Sequence, residues 1–529
     1  MKYLKKFQNH SQYESYIASG YAKPNVSYCV QESDVHYNPM TMADKYLTFT
    51  ALEDTTFKLT IGSAVSESIL SSISYSTDNG KTWNTTNNVD SETVTITTPT
   101  INTGNKVLWK GIGTGVSTTI DNNNRPTTSS IFSSSGEFNV EGNIMSLIYD
   151  DDFSDKKSVQ GTYNFALLFY SYNTTDTAKV VSAKDMVLPI KSVPTCGYFR
   201  MFQGCPLLEE APLSIDAISI GASGCMSTFW TCPSLTTAPE LPATTLSDSS
   251  YKAMFEGCSG LTTAPSILSA TTLGDSCYSH TFNGCTSLTT APSSIGSSST
   301  TMVASACTNM FYQCTSLTTA PELPATTLAN SCYEYMFFGC TNLTTAPELP
   351  ATTLKSECYE SMFYQCSGLT TAPELPAINL TSRCYLQMFR GCTSLTIAPV
   401  MHASKMASQS CFYMFMGCKS LATAPTLSAT TLEYECYEGM FNGCTSLTTA
   451  PDLPATTLAG SCYYEMFRNC SKLNYIKAMF TTTPSTSYTR DWVNGVAANG
   501  TFVKNSAAQW DVRGVNGVPA NWTVETVSE

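Results

Sequence analysis

The sequence predicts an α/β solenoid in which every coil contributes a short parallel strand and a short helix, preceded by a β-rich domain. Three observations predict it: a cysteine recurs at a nearly fixed interval, apolar residues keep their places between the cysteines, and strand-like alternation precedes the repeats. The intervals are 26 to 29 residues, and the last six are all 26. These closing cysteines are Cys205, Cys232, Cys258, Cys285, Cys314, Cys340, Cys366, Cys392, Cys418, Cys444 and Cys470. Such a period is typical of a stacked array whose units bury their apolar faces against their neighbours.

The coil that closes at Cys340 shows how one unit is built. Counting from Cys332, apolar residues fall at i, i+1, i+4, i+5 and i+8, which matches one face of a helix of about two and a half turns. Gly339 suits a helix end. The stretch 317–321 is short, β-branched and stopped by proline, so we predict a brief parallel strand there. The return loop is expected to be anchored to the core by Leu323, Ala325 and Leu328.

The repeats hold 21 of the chain's 22 cysteines, at two fixed places in each unit. Zinc is disfavoured, because the paired cysteines lack the close spacing of a zinc knuckle and no histidine recurs with them. A disulfide within a pair is disfavoured too, since residues i and i+8 of a helix lie about 12 Å apart. Ser250 replaces the first cysteine of its unit without disturbing the pattern. Buried free thiols that pack as small apolar groups are therefore the favoured interpretation.

Composition restricts the class of partner. The chain has 28 Lys and Arg against 41 Asp and Glu, a formal charge of -13, which argues against nucleic acid. Charged residues form only 13% of the chain, and Ser and Thr supply most of the polarity. The basic start of the chain is not followed by an apolar stretch, so no secretory signal is expected. No apolar run has the length of a membrane span.

The regions outside the repeats differ from them and from one another. Residues 1–42 form a distinct N-terminal segment, and residues 43–160 carry strand-like runs at 46–50, 57–61, 73–76, 94–96 and 107–109. The acidic stretch 149–153 could bind calcium, but it lacks the full loop pattern, and a solvated turn is favoured. The solenoid is assigned to residues 161–480, with an atypical capping unit first. Residues 481–529 are predicted to form a C-terminal cap of short strands. Its tryptophans, Trp492, Trp510 and Trp522, are expected to pack on the last coil.

The repeated motif Phe-x-x-Cys-Thr-Ser-Leu-Thr-x-Ala-Pro-x-Leu-Pro resembles the BspA-like leucine-rich repeats of bacterial surface proteins, in a cysteine-rich 26-residue version. The resemblance covers roughly residues 160 to 480. It implies a curved β/α leucine-rich-repeat solenoid that serves adhesion and has no enzymatic activity. The segment 1–42 resembles the N-termini of virion-attached proteins from phages of gut Bacteroides-type bacteria. That similarity implies docking onto a capsid or tail protein.

Catalytic motifs are absent from the sequence. It contains four histidines in separate regions, none accompanied by a nucleophile or carboxylate motif, and no phosphate loop or metal-binding helix. We therefore expect no enzyme activity, no cofactor and no metal.

The candidate binding surface lies at the positions that the repeat leaves free. One residue after the phenylalanine of each predicted helix, the residue type varies from coil to coil while its neighbours stay nearly constant. Further free positions precede it, such as Glu360-Ser361 and Leu386-Gln387, and together they are predicted to form one outward stripe. Exposed aromatic and arginine side chains are what interfaces use. The candidate binding residues are Trp230, Tyr312, Tyr335, Phe338, Tyr364, Arg390, Met416 and Tyr464.

Two other interpretations of the stripe stay open, a seam between protomers and a neutral surface. For the whole chain, the resemblances favour a non-enzymatic phage virion fibre or decoration protein that docks by its N-terminus and displays the solenoid to a host-surface glycan or protein. By analogy we expect a homotrimer. The alternative is a bacterial cell-surface adhesin, and a third possibility is a solenoid scaffold inside a cell.

Overall fold

The computed structural model describes residues 4–7, 27–30, 42–61, 70–87, 89, 93–116, 119–120, 126–128, 130–171, 177–296, 301–482, 484–509 and 511–527. The chain forms two compact units, Met1–Thr41 and Met42–Glu529. In the first unit, strands β1 (Leu4–Phe7) and β2 (Ser27–Val30) pair in parallel.

A β-rich region opens the second unit, as the sequence predicts. The strands are β3 Leu47–Ala51, β4 Phe57–Ile61, β5 Leu70–Ser76, β6 Asn84–Asn87, β7 Val94–Thr97, β8 Lys106–Gly113, β9 Thr119–Ile120, β10 Pro126–Thr128, β11 Ile131–Ser134, β12 Phe138–Asn143 and β13 Val180–Val187. They form two larger sheets, in the orders β13-β12-β3-β8-β5-β6 and β11-β4-β7, and β9 and β10 form a separate antiparallel pair. The two larger sheets share an aromatic core in which the ring centroid of Phe49 lies 4.8 Å from that of Phe132 and 5.3 Å from that of Phe57.

Helix content is very low. Among the described residues, a 3-10 turn spans Met42–Asp44, and α1 (Ser146–Tyr149) has four residues. Among the residues that the structure describes, no helix has the length and apolar character needed to cross a bilayer.

The solenoid continues directly from the β-rich region. Strand β13 pairs in parallel with β12, and the bridge between Ser182 and Glu210 links it to the next coil. The ring of Phe169 stacks on Phe132 at 5.8 Å and on Phe202 at 4.9 Å. Side chains of the β-rich region and of the coils therefore form one continuous apolar core.

Parallel pairing joins successive coils at several edges. β14 (Ser192–Val193), β15 (Ser219–Ile220) and β16 (Thr245–Leu246) form a short sheet. In most later coils the pairing is reduced to single bridges, such as Thr290 to Thr319 and Thr327 to Thr353. The predicted strand at 317–321 is thus parallel, as expected, but only Thr319 forms a bridge there.

The helix predicted in each coil is wrong. The ten residues that end at each closing cysteine, such as 331–340, form a chain of tight turns, which we name the turn arm. Within this arm the N–H of Met336 donates to the carbonyl of Tyr333 three residues back, whereas the N–H of Tyr335 donates to Glu360 of the next coil. Every fourth residue has a left-handed φ, as at Tyr335 (53°) and Gly339 (71°). Half of the backbone donors thus bond within the arm, and the other half join it to the next coil.

The spacing between coils explains why turns replace helices. From Phe202 to Phe467 the rings of successive phenylalanines stack with centroids 5.4–5.7 Å apart and planes within 11° of parallel. Packed helices need axes roughly 8–10 Å apart, whereas neighbouring strands lie about 4.8 Å apart. An α-helix in every coil would therefore not fit at this spacing. The turn arms stack at nearly the distance of strands, so the two sides of each coil have nearly the same width. The difference in width between the helix side and the strand side, which curves a β/α solenoid, is therefore small here.

The C-terminal region closes the core. β17 (Tyr475–Ala478), β18 (Thr501–Asn505) and β19 (Thr523–Val527) form a parallel sheet. The buried ring of Trp492 lies 6.2 Å from Phe467, the last phenylalanine of the ladder, and its Nε1 donates to the carbonyl of Gly517. Trp522 is also buried. Trp510, the third predicted cap tryptophan, lies outside the described residues.

The left-handed positions distinguish a turn arm from a helix. Gly339 and Gln365 occupy equivalent places in successive arms, with φ of 71° and 60°. We expect Gly339→Ala to lower the free energy of unfolding by about 1 kcal/mol, because the alanine must adopt a left-handed φ, and Gln365→Gly to raise it by up to about 1 kcal/mol. Urea unfolding followed by circular dichroism measures both. In a helix, Gly339→Ala would stabilise the protein and Gln365→Gly would destabilise it. Those results would contradict the turn arm.

Candidate functional site

An aromatic column runs along the outer side of the turn arms. The rings of Tyr312, Phe338 and Tyr364 come from three successive coils and stack face to face, with centroids 4.5 and 4.7 Å apart and planes within 9° of parallel. Each follows a buried phenylalanine of the core ladder, so the arm directs one ring inward and the next outward. All three are half-buried. We call these three residues, together with Arg390 of the following coil, the aromatic column.

Arg390 ends the stack of rings. The centre of its guanidinium lies 5.2 Å from the ring centroid of Tyr364 and 5.8 Å from that of Tyr413, which belongs to the next coil. A cation over a tyrosine face is attracted by the electron-rich ring. The guanidinium is therefore held between two aromatic side chains.

The structure brings five of the eight predicted residues together. Tyr335 joins the four members of the column, because its ring centroid lies 6.0 Å from that of Phe338. Met416 is half-buried at the same coil position, one coil beyond Arg390. Trp230 and Tyr464 lie outside the column. Trp230 precedes Tyr312 by three coils, and the ring of Tyr464 lies 5.8 Å from the guanidinium of Arg490. The predicted stripe is thus densest between residues 312 and 390.

Some residues expected in the outward stripe are buried instead. Glu360 is 3% exposed, Ser361 is fully buried and Leu386 is 6% exposed. Glu360 is covered from the adjacent coils, since the Tyr335 hydroxyl contacts it at 3.4 Å from one side and the Arg383 guanidinium at 3.1 Å from the other. The helical pattern places these positions on the same face as the column, which is why it predicts them to be exposed.

A buried carboxylate beside the column is the main feature that sequence reasoning missed. Oε1 of Glu360 accepts from Arg383, whose other terminal nitrogen lies 2.9 Å from Glu357, while Oε2 of Glu360 is buried without a hydrogen-bond partner among the described residues. Burial raises the pKa of Glu360 to about 7, and the charge of Arg383 opposes that shift. Glu357 and Arg383 are 26 residues apart, which is one coil, and this spacing could have predicted an ion pair between successive coils.

Glu438, two coils beyond Arg390, repeats the burial and the tyrosine contact of Glu360, but no arginine pairs with it among the described residues. It is 8% exposed, and burial raises its pKa to about 7. The hydroxyl of Tyr413, which flanks Arg390, lies 3.4 Å from Oε1 of Glu438. Glu360 and Glu438 are therefore both buried, and each has a hydrogen-bond contact through Oε1.

The 21 cysteines of the coils form two buried ladders of free thiols, which confirms the favoured interpretation. Every closing cysteine donates its S–H to the carbonyl of the phenylalanine that belongs to the preceding coil, at 3.0–3.2 Å; Cys366, for example, donates to Phe337. Burial raises the pKa of Cys384 to about 12. Because thiolates are the form that reacts and binds metal, these residues are unsuited to catalysis or zinc binding. In the described part of the chain, no three His, Cys, Asp or Glu residues gather as metal ligands would.

The carboxylates of the acidic stretch 149–153 pair with a lysine side chain. Nζ of Lys110 lies 2.9 Å from Asp150 and 2.7 Å from Asp151, and the Tyr46 hydroxyl donates to Asp151. Lys110 thus stands where a bound cation would balance these carboxylates.

The two described histidines show no catalytic arrangement. Nδ1 of His280 meets the hydroxyl of Ser279 at 2.8 Å, but Ser279 is only 4% exposed, so a substrate could not reach it. His402 contacts the exposed Glu374. Neither pair combines an accessible nucleophile with a base.

Comparison with known proteins supports the repeat assignment. Residues 304–448 match the family described as BspA type Leucine rich repeat region, in six copies. A leucine-rich repeat protein from Bacteroides ovatus ATCC 8483, known from its crystal structure, is 18% identical, with 59% of this chain and 88% of that chain covered and a TM-score of 0.26. No curated protein matches the chain. The repeat resemblance is thus confirmed over the matched residues, whereas the similarity of the N-terminus to phage proteins is not shown.

The buried thiols should be chemically silent in the folded protein. We expect iodoacetamide at pH 8 to label none of the cysteines of the coils, because burial disfavours the thiolate and excludes the reagent. After unfolding in guanidinium without a reductant, all 22 cysteines should be labelled. Peptide mapping by mass spectrometry checks both states. Unlabelled pairs in the unfolded protein would reveal disulfides and contradict the structure.

The raised pKa of Glu360 predicts a dependence of stability on pH. Because the folded protein holds this proton more tightly than the unfolded chain, its contribution is present at pH 4 and is lost as the pH rises from about 4.5 to about 7. Glu360→Gln should therefore stabilise the protein at pH 8, on the order of 2 kcal/mol, and change little at pH 4. Thermal unfolding at the two pH values measures this. The control, Glu348→Gln, alters an exposed side chain and should show no such difference.

Proposed function

We propose that this protein is a non-enzymatic bacterial cell-surface protein that adheres to a macromolecular partner through the aromatic column of its solenoid. One observation carries the proposal: Tyr312, Phe338, Tyr364 and Arg390 form a contiguous stack on the outside of a rigid framework. Repeats of the matched family are typically non-enzymatic and common in bacterial surface proteins. Both considerations favour a binding role.

The physical properties of the column suit an interface. Tyrosine and arginine are enriched among residues that contribute most to binding, and they act best when already ordered. Here each ring is held by its neighbours at 4.5 and 4.7 Å, so little side-chain freedom is lost on contact. The column is therefore a better candidate than the exposed threonines, whose regularity follows from strand pairing alone.

The virion fibre is a different proposal for the whole chain, and the family match does not support it. Docking onto a capsid or tail protein rests on the resemblance of residues 1–42 alone, and within that segment the structure describes only β1 and β2. Assembly as a homotrimer rests on the same analogy. A self-association seam along the column remains the competing proposal for the same residues.

Replacing the aromatic rings tests the role of the column. We expect beads coated with the full chain to adhere to epithelial cell monolayers, and the triple variant Tyr312→Ser, Phe338→Ser and Tyr364→Ser to reduce adherence at least tenfold, because the ordered apolar contact is lost. The control is Thr326→Ala, Thr352→Ala and Thr430→Ala, which changes exposed residues away from the turn arms. Circular dichroism confirms that both variants fold.

The same variants separate the competing interpretations. Sedimentation velocity reports whether the triple serine variant changes the oligomeric state. A change in assembly with adherence retained would identify the column as a seam. Unchanged adherence together with unchanged assembly would show that the column is a neutral surface, and the proposal would fail.

A further inference from the structure

Arg390 differs from the other arginines of the neighbouring turn arms. Arg383 pairs with Glu357 and Glu360, and Arg468 pairs with Glu465. Arg390 forms no ion pair and no side-chain hydrogen bond with any residue that the structure describes, although it is half-buried and held between two tyrosine rings. It is a fixed guanidinium whose hydrogen-bond donors are left for an external partner.

The environment of Arg390 prepares it to bind an anion. Rings lie over the guanidinium at 5.2 Å (Tyr364) and 5.8 Å (Tyr413), which restricts its orientation. A guanidinium carries five N–H donors in a planar fork that matches a carboxylate. Neither buried carboxylate is paired with Arg390, because Glu360 is bound to Arg383 and Glu438 lies against the Tyr413 hydroxyl. Arg390 is therefore a positive group without an ion-pair partner among the described residues.

We propose that the partner is a protein whose extended segment lies along the aromatic column and places an aspartate or glutamate on Arg390. This inference rests on the proposed function and names the chemistry of the partner. From Tyr312 to Arg390 the column extends over about 14 Å, which is about four residues of extended chain. Apolar side chains of the segment would contact the ring edges, and its carboxylate would pair with the guanidinium.

The stacking favours a peptide over a polysaccharide. Sugars that bind aromatic side chains pack against ring faces, but the faces of Phe338 are covered by Tyr312 and Tyr364. Arg390 and Phe338 cover the two faces of Tyr364 in turn. Phe338 and Tyr364 therefore present ring edges rather than faces, a surface that suits side chains of a polypeptide. An acidic polysaccharide is thus the disfavoured source of the carboxylate.

A peptide array tests the proposal. The full chain is applied to an array of random eight-residue peptides, and the binders of the wild type are compared with those of Arg390→Gln. Asp and Glu should be enriched among wild-type binders and not among binders of the variant. For the best peptide, replacing the acid by its amide should weaken binding to the wild type about tenfold and leave binding to Arg390→Gln unchanged. Arg468→Gln, at the same coil position but in an arm where the arginine is already paired, is the matched control and should behave as the wild type.

The outcomes separate this inference from the proposed function. Peptides that need the three aromatic rings but not Arg390 would overturn the inference and leave the binding role of the column standing. An array without binders, or binding of polygalacturonate that depends on Arg390 while no peptide binds, would overturn the choice of a protein partner. Retention of the acidic preference in Arg390→Gln would overturn the role of this residue. Urea unfolding of both arginine variants shows that any loss is not due to misfolding.

Discussion

The hydrogen bonds between successive turn arms set the spacing on which the rest of the solenoid depends. In each arm alternate N–H groups, such as those of Tyr333 and Tyr335, donate to the carbonyls of the next coil. This arrangement requires a left-handed φ at every fourth residue, at a cost of roughly 1–2 kcal/mol for a residue with a side chain. The cost is offset because no arm needs the width of a helix, and the rings of the core ladder can stack 5.4–5.7 Å apart. Glycine removes the strain where it occupies such a position, as at Gly339.

The regular shift from one coil to the next, which orders the side chains of the core, also orders those of the outer surface. Phe337 stacks on Phe363 inside the solenoid, and one residue farther along each arm Phe338 stacks on Tyr364 outside it. The backbone therefore sets the position of a side chain in the column, whatever the chemistry of that side chain. Replacing an aromatic ring by arginine, as happens at Arg390, changes the charge presented without changing the framework. A solenoid of this kind can vary its binding surface while its core stays constant.

Much of this fold could be predicted from the sequence, and the error has a definite cause. The period, the parallel pairing, the free thiols and the strands before the repeats follow from spacing and alternation. The helix did not, because apolar residues at i, i+1, i+4, i+5 and i+8 fit a period of four as well as one of 3.6 over so short a stretch. A strict period of four, with glycine or a polar residue just before most closing cysteines, as at Gly339 and Gln365, is the distinguishing pattern. The stacking of Tyr312, Phe338 and Tyr364 could be anticipated from their equivalent positions. The burial of Glu360 could not, because Arg383 and Tyr335 reach it from other coils.

The closing cysteines show why a thiol recurs where alanine would pack nearly as well. The carbonyl of Phe337 accepts two hydrogen bonds, from the N–H of Cys340 in its own arm and from the S–H of Cys366 in the next coil. Alanine would lose the second bond, and serine would place a more strongly polar group in an apolar core, where burial without full pairing is costly. The thiol is both apolar enough to be buried and able to donate. Burial also raises the pKa of Cys366, which suppresses the thiolate needed for oxidation. A core of free thiols protected in this way remains compatible with an oxidising environment, and so with display at a cell surface.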